Sequence, residues 1–276
     1  MTTCLTVRAS RRLNSVVPQP RFSASIGKNG VNLGDRTVLL GSGNYMSGNG
    51  LGFVALGYQN WSSSTVGSIG NAAIGYGCII QGLSVGSVAL GYVCGTSAAA
   101  TGTITMGYST SSGHNYCIVG GVSCTTGNSY QWIIGNSASA SQQNAMSCGV
   151  FTYATRYAEN AWSSGRHTVS GDIQSSVLTL GGTTTNATPT EMFIGNASAN
   201  RIVLTAGSSL LVDVRAVART TGAINKTAVF RRSLQIDRPT NAASTTLVGA
   251  VQTLLTDTGS NAGTPPAGWA LTLSAD

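Results

Sequence analysis

Phe53-Val54-Ala55-Leu56-Gly57-Tyr58 is followed by Asn71-Ala72-Ala73-Ile74-Gly75-Tyr76, Ser87-Val88-Ala89-Leu90-Gly91-Tyr92 and Thr103-Ile104-Thr105-Met106-Gly107-Tyr108. Just ahead of each Gly, small or β-branched residues alternate with larger aliphatic ones. Period-two alternation over four residues is the pattern of a short strand with one buried face. Worked outward, the aliphatic-Gly pair also occurs at Leu40-Gly41, Val119-Gly120 and Ile134-Gly135, with Cys148-Gly149 as a degenerate last copy. Between the anchors lie turn-forming segments rich in Gly, Ser, Thr and Asn, such as VCGTSAAATG and STSSGHNY. A unit of about 16 residues therefore fits two short strands and two turns, and one unit cannot bury a face alone. Stacking into a solenoid is the physical solution. At about 4.8 Å per coil the stack from Gly41 to Gly149 spans about 34 Å. Ile26-Gly27 and Leu33-Gly34 extend the half-unit spacing upstream, so the roll is expected to begin near residue 25.

Composition agrees with a repeat protein. Of 276 residues 36 are Gly, and only 8% are charged, far below the usual quarter. The formal net charge is +7, but the charges sit at the two ends: six Lys or Arg against one Asp in the first 36 residues, and nine against seven in residues 156–276. Residues 37–155 carry none. Such an interval excludes carboxylate chemistry, and nucleic-acid binding needs clustered Lys and Arg. Arg8, Arg11, Arg12 and Arg21 are read as solvating an N-terminal tail. The opening MTTCLTVRASRRLNSVVPQPRFSAS contains no apolar signal core, and no run of 18 strongly apolar residues suggests membrane insertion. Cys4, Cys78, Cys94, Cys117, Cys124 and Cys148 form no CxxC pair and are read as buried free thiols. Cys78 and Cys94 each follow an anchor Gly by three residues and should stack in successive coils, and Tyr58, Tyr76, Tyr92 and Tyr108 should form an aromatic stripe.

Over residues 40–149, and most closely at Ser87-Val88-Ala89-Leu90-Gly91, the repeats resemble the β-roll heads of trimeric autotransporter adhesins. That resemblance implies three rolls packed side by side. From residue 150 the charges return and strand-like segments appear at VLTL 177–180, EMFIG 191–195, RIVLT 201–205, SLLVDVRAVAR 209–219, TAVFRRSLQID 227–237 and TTLVGAVQTLL 245–255. In 210–219, Val212, Val214, Ala216 and Ala218 share one face and Asp213, Arg215 and Arg219 the other, as in a half-buried antiparallel strand. Arg156-Tyr157-Ala158, Ser164-Gly165-Arg166, Gly171-Asp172-Ile173-Gln174-Ser175, the run from Thr184 to Phe193, Arg219-Thr220-Thr221-Gly222 and Leu247-Val248-Gly249 together resemble a β domain found at the distal end of phage and other viral tail-fibre proteins. That second resemblance implies a homotrimeric virion appendage and no reaction.

Other chemistries find little support in the residues. His114 as a base would suit a left-handed β-helix acyltransferase, but its six-residue repeat is not seen. His114, Cys117 and Cys124 match no usual zinc spacing. A tailspike depolymerase would need a carboxylate pair, for which Glu159 and Asp172 are the example; P-loop, nucleophile-elbow and His-Glu-x-x-His motifs are absent.

The expected protein is all-β and homotrimeric, with an N-terminal attachment tail at 1–24, a β-roll shaft of about 16-residue coils at 25–150 and an antiparallel β-sandwich-like head at 151–276. It is expected to be a non-enzymatic tail-fibre component of a virion, with no catalytic, cofactor-binding or metal residues. Expected partners are further copies of itself, other tail or baseplate proteins through the N-terminal region, and a host-surface glycan, with no nucleic acid and no membrane insertion. Contact loops are placed at 183–190, 220–227, 238–246 and 257–268. A tailspike glycan depolymerase and the passenger of a bacterial trimeric adhesin remain the alternatives.

Overall fold

The computed structural model describes residues 5–7, 23–32, 36–47, 51–63, 69–97, 100–184, 190–195, 197–220, 226–240, 244–259 and 269–274. These residues form strands and turns with no helix. The chain folds as two compact units, one of residues 1–181 with 192–200 and one of residues 182–191 with 201–276.

The first unit is a parallel β-solenoid. Each coil contributes a long strand, such as Val54–Tyr58, Ala72–Tyr76, Val88–Tyr92 or Ile104–Tyr108, to one sheet and a short strand, such as Trp61–Ser63 or Ile79–Gln81, to another. Successive long strands pair in parallel and in register, from Ala24–Ile26 to Asn160–Ser163. The shaft therefore does not end at residue 150, where the sequence reading placed its boundary: the long-strand sheet gains Asn160–Ser163 beyond it. Both ends of that sheet are closed by an antiparallel strand, Leu5–Val7 beside Ala24–Ile26 and Ser175–Val177 beside Asn160–Ser163. Reversing direction stops the repeat and covers an edge that would otherwise recruit other strands. Of the expected attachment tail, residues 1–4 and 8–22, with Arg8, Arg11, Arg12 and Arg21, lie outside the described residues.

Register explains the glycines. Gly41, Gly57, Gly75, Gly91, Gly107, Gly121, Gly135 and Gly149 stand opposite one another. The anchor in the sixth of these coils is thus Gly121 and not Gly120, which instead faces Met106 and Ile134. All eight have φ between +113° and +151°, and a Cβ on any of them would lie 1.8–2.1 Å from the carbonyl oxygen of the next coil. Only hydrogen fits there, and the backbone turns there into the first bend. The next residue in the column is Ser163, opposite Gly149. It ends the parallel stack, so no further coil crowds its side chain, and its hydroxyl bonds Gly165 and Ile173 carbonyls.

The corrected register also separates two coil lengths. Successive long strands are 16 or 18 residues apart between Val38 and Ile104 and 14 residues apart from Ile104 onward. The longer coils carry an extra bridge ladder, Leu51–Ile69–Val85–Thr101, which the shorter ones lack.

Inside the roll the inward column of the long strands is mostly small, with Leu39, Val119 and Ile133 as its larger members. The second residues of the long strands, Leu39, Ala55, Ala73, Ala89, Thr105, Val119, Ile133, Ser147 and Ala161, are buried. At the first bend a second buried column reads Asn44, Asn60, Cys78, Cys94, Thr110, Cys124 and Ala138. Asn60 Nδ2 donates to the Leu56 and Gly75 carbonyls at 2.9 and 3.0 Å, while its Oδ1 accepts the Cys78 amide at 3.0 Å. Cys94 Sγ makes the same two carbonyl contacts, to Leu90 and Gly107, both at 3.1 Å. A short donor thus satisfies buried carbonyls that a wholly apolar side chain would leave unpaired. Cys78 and Cys94 occupy adjacent rungs of this column as free thiols, and burial raises the Cys78 and Cys124 pKa values.

The second unit contains a three-stranded antiparallel meander, Ser208–Arg219, Thr227–Arg238 and Thr246–Gly259. Val212, Val214, Ala216 and Ala218 share its half-buried face, as expected, opposite Leu234, Arg232, Phe230 and Ala228. On the reverse face Asp213 pairs with Arg231 at 2.9 Å and with Arg215 at 3.6 Å. A two-stranded ladder, Leu180–Gly181 with Phe193–Ile194, belongs to the first unit. Among the described residues of the second unit the meander is the one sheet, without the second facing layer that a sandwich requires.

Candidate functional site

Along each long strand the second residue points into the roll and its two neighbours, mostly aliphatic, point outward. Two outer columns result. One contains Val38, Val54, Ala72, Val88, Ile104, Ile118, Trp132, Met146 and Asn160; the other contains Leu40, Leu56, Ile74, Leu90, Met106, Gly120, Ile134, Cys148 and Trp162. These side chains are half-buried or exposed, apart from the buried Gly120. The sequence alternation therefore marks two apolar faces, and the small residues take the inner one. Beside the second column Tyr58, Tyr76, Tyr92 and Tyr108 stack with ring centroids 4.8–5.3 Å apart. This is the expected stripe, and 40–54% of each residue is exposed. Monomeric proteins rarely present so long an uncharged apolar surface to water. The outer face of the short strands is different: Val31, Tyr45, Trp61 and Ile79 give way to Gly95, Ser111, Thr125 and Ser139.

A groove of about 340 Å³ runs along the corner where the second bend meets the first outer column, lined by Tyr116, Tyr130, Trp132, Asn144, Met146 and Asn160 among others. Tyr116 and Tyr130 stack at 5.3 Å. Sequence reasoning missed this site, because Tyr116 and Tyr130 share a corner position that carries Gly in earlier coils, and Trp132 comes from the strand beside it.

The residues weighed for chemistry are held in structural roles. His114 lies in a turn, where its carbonyl accepts the Thr103 hydroxyl at 2.6 Å. Cys117 donates to the Asn115 and Asn128 carbonyls and Cys124 to those of Val122 and Gly135. Among the described residues no three His, Cys, Asp or Glu side chains gather as a metal site. Glu159 is fully buried, and Oε2 accepts the Thr155 and Arg156 amides at 2.7 and 2.9 Å. Asp172 is exposed and ties the turn before it, accepting amides from His167, Thr168 and Val169. Of the expected contact loops, residues 185–189, 221–225, 241–243 and 260–268 lie outside the described residues.

The amide of Thr168, with those of Val169 and His167, lowers the Asp172 pKa to about 2. A depressed carboxylate contributes stability that is fully present above its unfolded value and is lost as pH falls through the folded one. The 167–172 turn is therefore expected to loosen between about pH 4 and pH 2, followed through the Thr168 and Val169 amide chemical shifts. A midpoint near 4 would mean that these bonds do not form in solution.

Comparison of the chain with protein-family models, with curated proteins and with solved structures finds no match in any of the three.

Proposed function

We propose that the chain is a non-enzymatic structural protein of a virion appendage, a phage tail fibre or its equivalent, acting as a trimeric spacer. The observation that carries this reading is the uncharged apolar strip formed by the second outer column of the long-strand sheet and the tyrosine stripe beside it. It repeats once per strand, so a partner that repeats at the same spacing, another copy of the roll, matches it along its length. Three copies would cover surface that one thin coil leaves in water. Leu211 and Val217, 79% and 75% exposed on the meander, would likewise be covered if three heads close into a sandwich-like assembly. The likeness of residues 40–149 to trimeric adhesin heads and of residues 156–276 to fibre tips supports the same assignment.

In this reading the glycine column and the buried polar column stiffen the shaft. The N-terminal region joins other tail or baseplate proteins, and the head meets a host glycan or another virion protein. Three weak contacts acting together give useful avidity.

Light scattering on the purified 28.1 kDa chain tests the assignment. The expected mass is near three chains and independent of concentration. A well-folded monomer or dimer would overturn it.

A further inference from the structure

We infer that the corner groove is a binding site for an uncharged oligosaccharide, placed on the shaft and not on the loops of the head. The inference takes from the fibre reading only the host surface as the source of the sugar.

The hydrogen bonds of the second bend make its corner positions equivalent: the amides of Gly70, Gly86, Gly102, Tyr116 and Tyr130 each donate to the coil before. Three glycines are thus followed, where the coils shorten, by Tyr116 and Tyr130, and the series continues with Asn144 and Ala158, also at positive φ. Tyr116 and Tyr130 keep the left-handed backbone, at φ +54° and +59°, which glycine adopts freely and a bulky side chain adopts at a cost of about 1 kcal/mol or more. The first bend also takes side chains at positive φ, as at Val93 and Phe151, so backbone conformation alone does not mark the site. What marks it is the choice of two aromatic side chains at a corner where Ala158 shows that a small residue also fits. The first outer column departs from its pattern at the same level: Val88, Ile104 and Ile118 are followed by Trp132, then Met146 and Asn160.

These departures bring two phenols, an indole and two amides to one surface. Tyr116 and Tyr130 are each 54% exposed and Trp132 51%, so the rings do not serve as core. The Asn144 amide donates to the Tyr157 hydroxyl at 2.7 Å, which orients it beside the groove. No lining residue is charged. Aromatic surfaces suit the apolar C–H faces of sugar rings, and amides and phenols suit their hydroxyls. A charged ligand would find no counter-charge.

Calorimetric titration of the full chain with maltohexaose, cellohexaose, mannohexaose and chitohexaose, with an oligogalacturonate as the acidic control, tests the site. The repeat itself supplies variants expected to fold: Tyr116→Gly with Tyr130→Gly restores the residue of the earlier corners, and Trp132→Val that of the earlier column. At least one neutral oligosaccharide is expected to bind saturably, and each variant to bind it at least about tenfold more weakly with its native mass unchanged. Absence of binding across the neutral panel, unchanged binding in the variants or preference for the acidic control would overturn the inference. A changed mass in the variants would also overturn it, by assigning these rings to a subunit interface. A wild-type mass other than three chains, with binding intact, would defeat the trimer alone.

Discussion

Gly91→Ala is expected to remove more than about 4 kcal/mol of stability and to leave the chain largely insoluble, the extreme of what single substitutions do. The added methyl would lie 2.1 Å from the Gly107 carbonyl oxygen and 3.0 Å from its carbonyl carbon and its amide nitrogen. All three are backbone atoms of the neighbouring strand, so no rotamer change relieves the contact. The strands Val88–Tyr92 and Ile104–Tyr108 would have to separate, breaking a five-residue parallel register. Backbone conformation adds to the cost, because φ at Gly91 is +126°. Gly86→Ala isolates the second effect: φ there is +61°, and nothing lies within 4 Å of the new methyl. That variant is expected to cost only about 1–2 kcal/mol. Chemical denaturation of the two proteins checks the difference. Similar losses would show that backbone conformation, and not close approach of the coils, makes these positions glycine.

The same glycines show how far the sequence carried the fold. Their recurrence with Val-Ala-Leu and a following Tyr was enough to predict a solenoid of short strands, because the steric demand recurs in every coil. At Gly120-Gly121 two glycines compete for one position, and only strand register decides between them. Alternation in Val54-Ala55-Leu56 reveals two faces but not which is internal; hydrophobicity alone would put Leu56 inside, whereas Ala55 is the buried residue, in a column that elsewhere holds Leu39, Val119 and Ile133. The column of Asn60, Cys78 and Cys94 was illegible as a unit, because two residue types perform one task, a short donor to two carbonyls, and Thr110 continues it by donating to Cys94 Sγ instead. The shaft beyond residue 150 was missed because Asn160–Ser163 carries Trp162 and Ser163 where earlier strands carry an aliphatic residue and Gly. In the head the alternation of 210–219 was readable locally, but what covers a sheet face depends on contacts that no single strand encodes.

Glu159→Ala is the second large effect expected, about 3–5 kcal/mol, the range for removing one partner of a buried ionic pair. Glu159 sits just before the last parallel strand, in the inner position that Gln131 occupies two coils earlier. Its carboxylate accepts two backbone amides and stands 3.3 Å from the Arg156 guanidinium, whose side chain is itself only 20% exposed. Truncation would leave these donors facing a void. Gln174 spreads the damage: its amide reaches Glu159 at 3.5 Å while pairing with both the amide and the carbonyl of Tyr153 at 3.1 Å. Those bonds fasten the segment leading into Ser175–Val177, the antiparallel strand that closes the sheet. Glu159→Ala should therefore open residues 164–177 to protease and, by baring the edge of Asn160–Ser163, promote aggregation. Glu159→Gln keeps an acceptor and the side-chain length that Gln131 uses against Gly127, Ala140 and Gln142, and should cost only about 1–2 kcal/mol. Denaturation midpoints together with the rate of proteolysis at 164–177 measure both. An alanine variant as stable and as protected as the parent would mean that the cap is held by strand pairing alone, and the buried carboxylate would then need another explanation.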